Sequence, residues 1–483
     1  MSWAGIAVAL LLPWACGTAW VAYLLRKSGE QPPHNFVLSI GYGFFIGLLG
    51  TTVLLRAWDA LSGSVSFGAV SAILGALTLA AAMCLWRSPV PAHANINNST
   101  SNDSSGWQLV GIALLLAWIG IRYGTMTQEL LLRPLFAWDA WMNWAPKAIT
   151  WYHLGTLAPW VEPWQWYGHA DGYSTGNWIS SGYPEGVPLV QLWFMLGAGT
   201  WDHGAVYIAW LLAPLALGAA LYGHLRLAHM AALPAVLIVY LLLNMPFFNV
   251  HTVLAGYADS WLAAVFGLAV IALRQWRLSR QGSWLILWLS MSIMCAMLKN
   301  PGIILCAILV VAGLREAVNM PRWIEAAVVG VAAAVVALLV ISSATVPIPL
   351  LGEVGWTEGE LALGRIGRFA IEYHPVAGAF AESFFQSTNW NLLFYFMLPL
   401  LMWLLWRHRG SVLNPPAEVV ALLGACAFVG FSFFFTNRFG GALNFSTVNR
   451  ALLYLAPPLL FCLAVGVTQA RVQASAPDTK PGS

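Results

Sequence analysis

Long apolar segments separated by short polar ones dominate this chain. They fall near residues 3–25, 34–56, 65–87, 107–124, 204–225, 231–248, 257–274, 283–298, 302–314, 323–344, 391–406, 416–435 and 449–469. At about 1.5 Å per residue, most of them are long enough to cross a hydrocarbon core of roughly 30 Å. Spanning segments must be helical because lipid offers no partners for backbone hydrogen bonds. The pattern predicts an all-α polytopic membrane protein with about 13 transmembrane helices.

Composition supports this prediction and removes other classes of protein. Hydrophobic residues make up 59% of the chain and charged residues 8%, against about 25% charged residues in soluble domains. The first apolar run begins MSWAG without a basic residue before it, so we expect a retained helix rather than a secretory signal. All six cysteines fall in apolar runs and form no CxxC pair, which argues against a zinc or disulfide framework. No basic cluster indicates a nucleic-acid partner.

The distribution of charge predicts the topology. If the N-terminus is outside, the cytoplasmic segments hold 13 of the 22 lysines and arginines, including RQWRLSR at 274–280, as the positive-inside rule requires. The opposite side then holds 13 of the 19 acids. The segment PEGVPLVQLWFMLGAG at 184–199 is short, and counting it as a span would place RQWRLSR outside. We therefore predict that it is a helix lying in the outer membrane interface.

Three regions follow from this topology. Residues 1–106 contain three leading transmembrane helices and a polar cytoplasmic loop. Residues 107–470 form a transmembrane core with outer loops at 125–203 and 345–390, and the first of these loops carries the interfacial helices. Residues 471–483 are a polar tail that is expected to be disordered in the cytoplasm.

The stretch FAWDAWMNWAPKAITWYH at 136–153 combines an aromatic stripe with one acid. Its apolar positions recur every three or four residues, at Trp138, Trp141, Trp144, Ala148 and Trp151. This spacing predicts one face of a helix resting on the bilayer surface. It does not account for Asp139, because an acid at the membrane edge needs a partner or a function. A general base, a metal ligand and a helix N-terminal cap are the open alternatives for this carboxylate.

Further ionisable and aromatic residues recur at the outer helix ends and in the outer loops. The charged candidates are Lys147, Glu185, Asp259, Lys299, Glu372, His374, Arg438 and Arg450. Each alone could be an ordinary membrane-edge charge, whereas together they predict a pocket for an anionic, lipid-linked ligand. Ten tryptophans lie between 138 and 201. Such rings, Trp138 and Trp141 among them, can stack on sugars or can form an interfacial aromatic belt.

Five motifs in order resemble a known family. WDAWMNWAPKA, YPEGVPLVQ, GYAD, KNPG and NRALLYL together cover residues from about 125 to 460. Their order is similar to that in bacterial membrane glycosyltransferases of the GT-C class. Within that class they resemble the transferases that use polyprenyl-phosphate-linked sugars, related to the protein O-mannosyltransferases and the lipid A aminoarabinose transferases.

The resemblance implies an inverting transfer of sugar from a polyprenyl-phosphate carrier to a lipid, glycan or protein acceptor. It places the enzyme in the bacterial inner membrane with its active site facing the periplasm. Asp139 matches the base, and Asp259 matches an acid that shapes a substrate site. Lys299 and Arg450 match positions that hold the donor phosphate, with Arg438 and Lys147 as further candidates. Glu185 stands where the family's usual form is closer to HPPL or YPPL, which leaves its substrate contact open.

Several alternatives stay open from the sequence. Some GT-C enzymes use a divalent metal ion and others do not; the candidate ligands here are Asp139, Glu162, His169 and Asp171. A flippase or transporter for lipid-linked sugars would place ionisable residues at mid-membrane, and here they lie at helix ends. An O-antigen polymerase or ligase would share the donor chemistry, although those enzymes usually rely on arginine and histidine in a large outer loop.

Overall fold

A computed structural model describes residues 1–27, 32–88, 106–174, 180–318, 322–348, 352–407 and 415–475. Most of the predicted polar loop at 90–106 and the last eight residues of the predicted tail lie outside these ranges. The final helix continues to Ser475, so the first residues assigned to the tail are helical.

All thirteen apolar runs form helices. The α-helices are α1 (Trp3–Lys27), α2 (Pro32–Ser62), α3 (Phe67–Arg87), α4 (Gly106–Leu132), α5 (Ala145–Leu154), α6 (Gly186–Ala198), α7 (Ile208–Leu227), α8 (Ala232–Leu243), α9 (Pro246–Val253), α10 (Asp259–Ser279), α11 (Gly282–Leu298), α12 (Asn300–Val318), α13 (Arg322–Ser342), α14 (Ala377–Ala381), α15 (Leu393–Arg407), α16 (Ala417–Phe434), α17 (Gly440–Leu443) and α18 (Val448–Ser475). Within the described ranges, nine helices are long and apolar enough to cross a membrane, or ten if α8 and α9, bent by 59°, form one span. The multi-pass helical architecture is confirmed, and the count of about 13 stays a prediction.

The leading helices pack closely into the rest of the protein. A Cβ atom on Gly17 of α1 would lie 2.1 Å from the Gly43 carbonyl oxygen of α2, and one on Gly47 would lie 1.9 Å from that of Pro13. Small residues of this kind let helix backbones approach each other, which favours helix association in membranes. A Cβ on Gly5 would also lie 1.8 Å from the carbonyl oxygen of Gly197 in α6. Helices α1 and α2 are therefore integral to the fold.

Helix α6 is enclosed by protein, and its depth relative to the membrane interface stays a prediction. The segment 184–199 was expected to lie on the outer interface, yet twelve of the thirteen residues of α6 are buried, including Trp193 and Phe194. The Trp193 indole N–H donates to the Ala9 carbonyl oxygen at 2.7 Å. Because apolar residues surround this helix on all sides, it packs as a core helix rather than as an amphipathic one.

The second predicted outer loop contains a sheet that the sequence analysis did not predict. Strands β1 (Thr345–Ile348), β2 (Gly352–Thr357), β3 (Glu360–Leu363) and β4 (Arg368–Ala370) form an antiparallel meander in chain order. A turn with Glu358 and Gly359 at positive φ joins β2 to β3. The description all-α is thus incomplete, because short strands with half-buried alternation give a weaker pattern than spanning helices.

Helix α10 is the most enclosed element and links two groups of ionisable residues. All its residues from Asp259 to Leu273 are buried, and α7, α11, α16 and α18 pack around it. Its N-terminus meets the charged residues described below. Its C-terminus meets an arginine–glutamate cluster composed of Arg274, Arg277, Arg280, Glu316 and Glu418.

Candidate functional site

Four sequence-distant segments bring two ion pairs together at one end of the helix bundle. Arg450 Nη1 pairs with the Asp139 carboxylate, and Lys299 Nζ lies 2.8 Å from Asp259 Oδ1. Two tyrosines, Tyr257 and Tyr454, contact these charged groups. We call these six residues the polar centre. The structure therefore gathers four of the residues that the sequence predicted for the site.

Local sequence explains how Lys299 reaches the polar centre. Lys299 is extended, with φ −161° and ψ 153°, and it separates α11 from α12. Pro301 follows in the first turn of α12, where the missing N–H is tolerated. Gly302 is required by close packing, because a Cβ there would lie 1.9 Å from the Cys295 carbonyl oxygen. The KNPG sequence thus breaks the chain between two helices and leaves the lysine side chain free to turn toward Asp259.

One tyrosine contacts each of the two ion pairs. The Asp139 backbone N–H donates to Tyr257 Oη at 3.2 Å, and the Arg450 guanidinium lies 4.9 Å from the centroid of the Tyr257 ring. The Tyr454 hydroxyl donates to Asp259 Oδ1, the oxygen that also accepts from Lys299. A cation above an aromatic face is attracted by the ring quadrupole. Tyr257 therefore fixes both partners of the Asp139–Arg450 pair.

Exposure divides the polar centre into an open and a closed half. The Asp139 and Arg450 side chains are 17% and 19% exposed, so a ligand can reach them. Asp259 is buried, and within the described residues its Oδ2 atom has no hydrogen-bond partner. A buried carboxylate oxygen without a partner is destabilising unless water or a ligand group completes its hydrogen bonds. Asp259 Oδ2 can therefore accept a hydrogen bond that no described group of the protein donates.

Two residues that were not among the candidates from sequence, the half-buried Tyr183 and the buried Gln191, lie next to the polar centre. Tyr183 packs its ring 4.7 Å from that of Trp144. Burial raises the pKa of Tyr183, and its surroundings include the charges of Lys299 and Asp139. Gln191 is fully buried, and neither polar atom of its side chain has a partner among the described residues. A Cβ on Gly256 would lie 3.1 Å from Gln191 Nε2, so this amide lies beside the residue before Tyr257.

The aromatic stripe of 136–153 does not form a single face. A π-helical turn, Ala140–Trp144, precedes α5 and shifts the angular register of the helix. Trp138 is 61% exposed and contacts Trp141 edge to face at 5.2 Å. Trp144 and Trp151 are buried in the protein instead. The prediction of one membrane-facing stripe is therefore wrong, because the π turn sends its two halves in different directions.

Lys147 and Glu185 lie outside the two ion pairs of the polar centre. Lys147 is buried, and its Nζ donates to the Tyr183 carbonyl oxygen at 3.2 Å and the Ser181 carbonyl oxygen at 3.5 Å. Burial, with a smaller contribution from the Arg56 charge, lowers the pKa of Lys147 to about 7. Glu185 pairs with Arg56 of α2. Their contacts assign these two residues to the α2–α6 side of the molecule.

Three other candidates lie where the sheet segment meets α16 and α17. The Arg438 guanidinium lies 5.6 Å from the centroid of the Phe369 ring, and its charge acts on Tyr183. His374 stacks on Phe439 at 3.8 Å between ring centroids. The Glu372 side chain is exposed, and its backbone N–H donates to the Phe435 carbonyl oxygen. Of these residues, Arg438 is the one whose charge acts on Tyr183 beside the polar centre.

The metal-ligand candidates are not gathered into a ligand set. Among the described residues, no group of three or more His, Cys, Asp or Glu side chains is arranged to hold a metal ion. Asp139 is engaged by Arg450, whereas His169 and Asp171 are exposed in the loop that follows Val161. Glu162 lies at the beginning of the same loop.

Tyr257 and Tyr454 were not among the candidates from sequence, although the sequence contains a signal for each. Tyr454 follows Arg450 by four residues in α18, so the two share one helix face. Tyr257 belongs to the GYAD motif, two residues before Asp259. Gln191 could not be singled out, because an isolated polar residue in an apolar helix does not reveal which neighbour it faces. The pairing of Arg56 with Glu185 could not be predicted from sequence, because the two residues are 129 positions apart in the chain.

The polar centre combines groups that can accept a proton with groups that can bind an anion. A partly exposed carboxylate can act as a base, while an arginine and a lysine within one cluster can hold a phosphate. Comparisons of the chain with protein-family models, with curated proteins and with solved structures each give no match. Together the helices and the polar centre describe a multi-pass membrane protein with a partly accessible cluster of ionisable residues at one end of the helix bundle.

Proposed function

We propose that this protein is an inverting glycosyltransferase of the GT-C class that uses a polyprenyl-phosphate-linked sugar. The observation that carries the proposal is the pairing of two carboxylates with two cations, Asp139 with Arg450 and Asp259 with Lys299. Asp259, Lys299 and Arg450 lie at the ends of candidate spanning helices. A donor of this kind places its phosphate at the membrane edge and its chain in lipid. Cations at helix ends match that arrangement.

Asp139 is the general base in the proposed reaction. It takes the proton from an acceptor hydroxyl while the hydroxyl oxygen forms a bond to the anomeric carbon. The bond from that carbon to the phosphate oxygen breaks at the same time, and the polyprenyl phosphate leaves with the bonding electrons. Attack from the face opposite the leaving group inverts the anomeric centre. Asp139 suits this role because it is accessible and hydrogen-bonded through its backbone to Tyr257.

Arg450 and Lys299 stabilise the departing phosphate. Fixed cations lower the barrier most where negative charge develops in the transition state. Arg450 moves from Asp139 to the phosphate when the donor binds, which frees the carboxylate to act as a base. Lys299 stays beside Asp259, whose carboxylate and the Tyr454 hydroxyl fix the position of the ammonium group. The acceptor is a lipid, a glycan or a protein at the outer face of the inner membrane.

The test is sugar transfer by purified protein in proteoliposomes containing a polyprenyl-monophosphate sugar. Asp139→Asn keeps the size of the side chain and removes the base, so we expect transfer to fall by about 10²–10⁴-fold. Glu129→Gln is the matched control, because it neutralises another acid paired with an arginine at the preceding helix end. Unchanged transfer by Asp139→Asn would reject the assignment.

Two further readouts separate the alternatives. Movement of the lipid-linked sugar across the bilayer without a glycosidic product would identify a flippase instead. Transfer from a polyprenyl diphosphate but not from a monophosphate would identify polymerase or ligase chemistry. Folding of every variant is checked by gel filtration before its transfer rate is compared.

A further inference from the structure

A groove lies on the α2–α6 side of the molecule, and none of the four residues of the two ion pairs lines it. Its volume is about 390 Å³, within the roughly 300–1,000 Å³ typical of small-molecule sites. Three turns of α2 form one wall, the start of α6 forms the second, and Met297 at the end of α11 closes it. Ala57, Ala60 and Gly186 leave the space open because they are small. The lining is almost wholly apolar apart from two charged residues.

Those two charged residues are Arg56 and Glu185, which pair across the groove. Their side chains are 52% and 32% exposed, so both can be reached from outside. Asp59 lies one turn further along α2, where its carboxylate accepts hydrogen bonds from Thr156 Oγ1 and the Leu157 backbone N–H. Asp59 is therefore engaged by protein donors. The groove offers a ligand one accessible cation and one accessible anion.

The charge pattern selects among amphiphiles. Guanidinium binds phosphate through paired N–H donors, and carboxylate binds an ammonium group. A lipid that carries only a phosphate would gain the first contact and suffer repulsion from Glu185. A head group that carries both a phosphate and a primary ammonium satisfies Arg56 and Glu185 together, while its acyl chain occupies the apolar lining beside Ala57 and Ala60.

We propose that the α2–α6 groove is a binding site for a zwitterionic phospholipid, with its phosphate on Arg56 and its ammonium on Glu185. The site is independent of the proposed sugar transfer, since α2 belongs to the leading helices and neither charged residue enters an ion pair of the polar centre. It adjoins that centre through Met297, two residues before Lys299.

The experiment measures lipid retained by the detergent-purified protein, using native mass spectrometry with phosphatidylethanolamine and phosphatidylglycerol of identical acyl chains. We expect the wild type to bind phosphatidylethanolamine about tenfold more tightly than phosphatidylglycerol. Arg56→Gln should weaken binding of both lipids about tenfold or more, since each phosphate loses charge-assisted hydrogen bonds. Glu185→Gln should abolish the preference and leave phosphatidylglycerol bound.

Two further variants separate the charge contacts from the groove. Ala57→Phe leaves both charges and fills the space between α2 and α6, so binding of either lipid should be lost; Ala57 is exposed, which lets the variant fold. Arg133→Gln is the matched control, because Arg133 also pairs with a glutamate at a helix end and the two side chains are 57% and 38% exposed. Its lipid binding should equal that of the wild type.

Several outcomes overturn the proposal. Equal or tighter binding of phosphatidylglycerol by the wild type would exclude a zwitterionic site. The wild type could instead bind a polyprenyl phosphate more tightly than phosphatidylethanolamine, with a further gain in affinity in Glu185→Gln. That result would show that a purely anionic lipid occupies the groove. An equal loss of lipid in Arg133→Gln would mean that the measurement reports surface charge alone. None of these results depends on whether the protein transfers sugar.

Discussion

The two ends of α10 bury ion pairs in different ways. At the C-terminal end, Arg277 donates from Nε and Nη2 to the two carboxylate oxygens of Glu418, at 2.9 and 2.7 Å, and Arg274 lies 3.8 Å from the same carboxylate. At the N-terminal end, one oxygen of Asp259 accepts from both Lys299 and Tyr454, and the other accepts from none of the described groups.

This difference separates a structural cluster from a site that can bind a ligand. The arginine–glutamate cluster uses both oxygens of its buried carboxylate, and a bidentate pair of this kind has fixed geometry. The polar centre instead leaves bonding capacity open and keeps Asp139 and Arg450 accessible. Buried charge alone therefore does not distinguish the two ends of α10, whereas the unused carboxylate oxygen of Asp259 and the accessible Asp139–Arg450 pair do.

Removing the buried acid at either end should destabilise the protein equally and affect transfer unequally. Glu418→Gln and Asp259→Asn each leave a buried cation without its partner, which costs about 3–5 kcal/mol in the free energy of unfolding. We expect the folded Glu418→Gln protein to transfer sugar at the wild-type rate and the folded Asp259→Asn protein to lose transfer. Thermal unfolding in detergent and the rate per folded molecule measure the two effects. Equal transfer rates per folded molecule in Glu418→Gln and Asp259→Asn would mean that the two ends of α10 do not differ in their effect on transfer.

Arg450→Gln should affect catalysis more than stability. The variant keeps a polar side chain over Tyr257 but removes a fixed cation from the leaving phosphate, so we expect transfer to fall about 10²–10³-fold. Arg280→Gln is the control, since Arg280 pairs with Glu316 at the other end of α10. A transfer rate within twofold of the wild type in Arg450→Gln would rule out a role in phosphate departure.

Lys147 is a buried lysine that forms no ion pair with the described residues; its Nζ donates to the Tyr183 carbonyl oxygen instead. The pH dependence of the free energy of unfolding tests this contrast with the paired cations of the polar centre. The Lys147 pKa of about 7 lies below the usual value of 10.5, so the unfolded state holds more protons between these pH values. The free energy of unfolding should therefore rise with pH above about 7, by at most about 1.4 kcal/mol per pH unit. Lys147→Met should flatten this rise between pH 7 and 9, whereas Lys27→Met, at an exposed lysine, should not. Parallel curves for the wild type and Lys147→Met would contradict this account.

Tyr454→Phe should give the smallest effect. The change removes one hydroxyl that donates to Asp259 and leaves the Lys299 pair in place. A hydrogen bond to a charged group contributes about 1.5–3 kcal/mol, and we expect the lower value because Asp259 retains its cation. Denaturant unfolding measures the change, with Tyr395→Phe as the control, because the hydroxyl of this exposed tyrosine donates to the neutral Phe385 carbonyl oxygen. A loss as large as that in Asp259→Asn would show that Tyr454 has a role beyond this hydrogen bond.

Part of the site was predictable because each residue follows or precedes a spanning helix. Asp259, Lys299 and Arg450 were selected as charges at helix ends, and the structure brings them together because those ends lie on one side of the bundle. The pairing could not be predicted, since Asp139 and Arg450 are 311 positions apart. Nor could Glu185 be separated from the polar centre by its position in the sequence, because its side chain turns toward α2 and pairs with Arg56 there.

Hydrophobic length and charge determined the membrane class and the positions of the thirteen helical segments, because only helices satisfy their own backbone in lipid. Tertiary structure alone decided which helices are covered by protein, as the burial of α6 shows. It also decided how the aromatic stripe divides, since a single π turn reorients every residue after Ala140. Partner choice among charges depends on distances between helices far apart in the chain, and no local pattern of residues contains those distances.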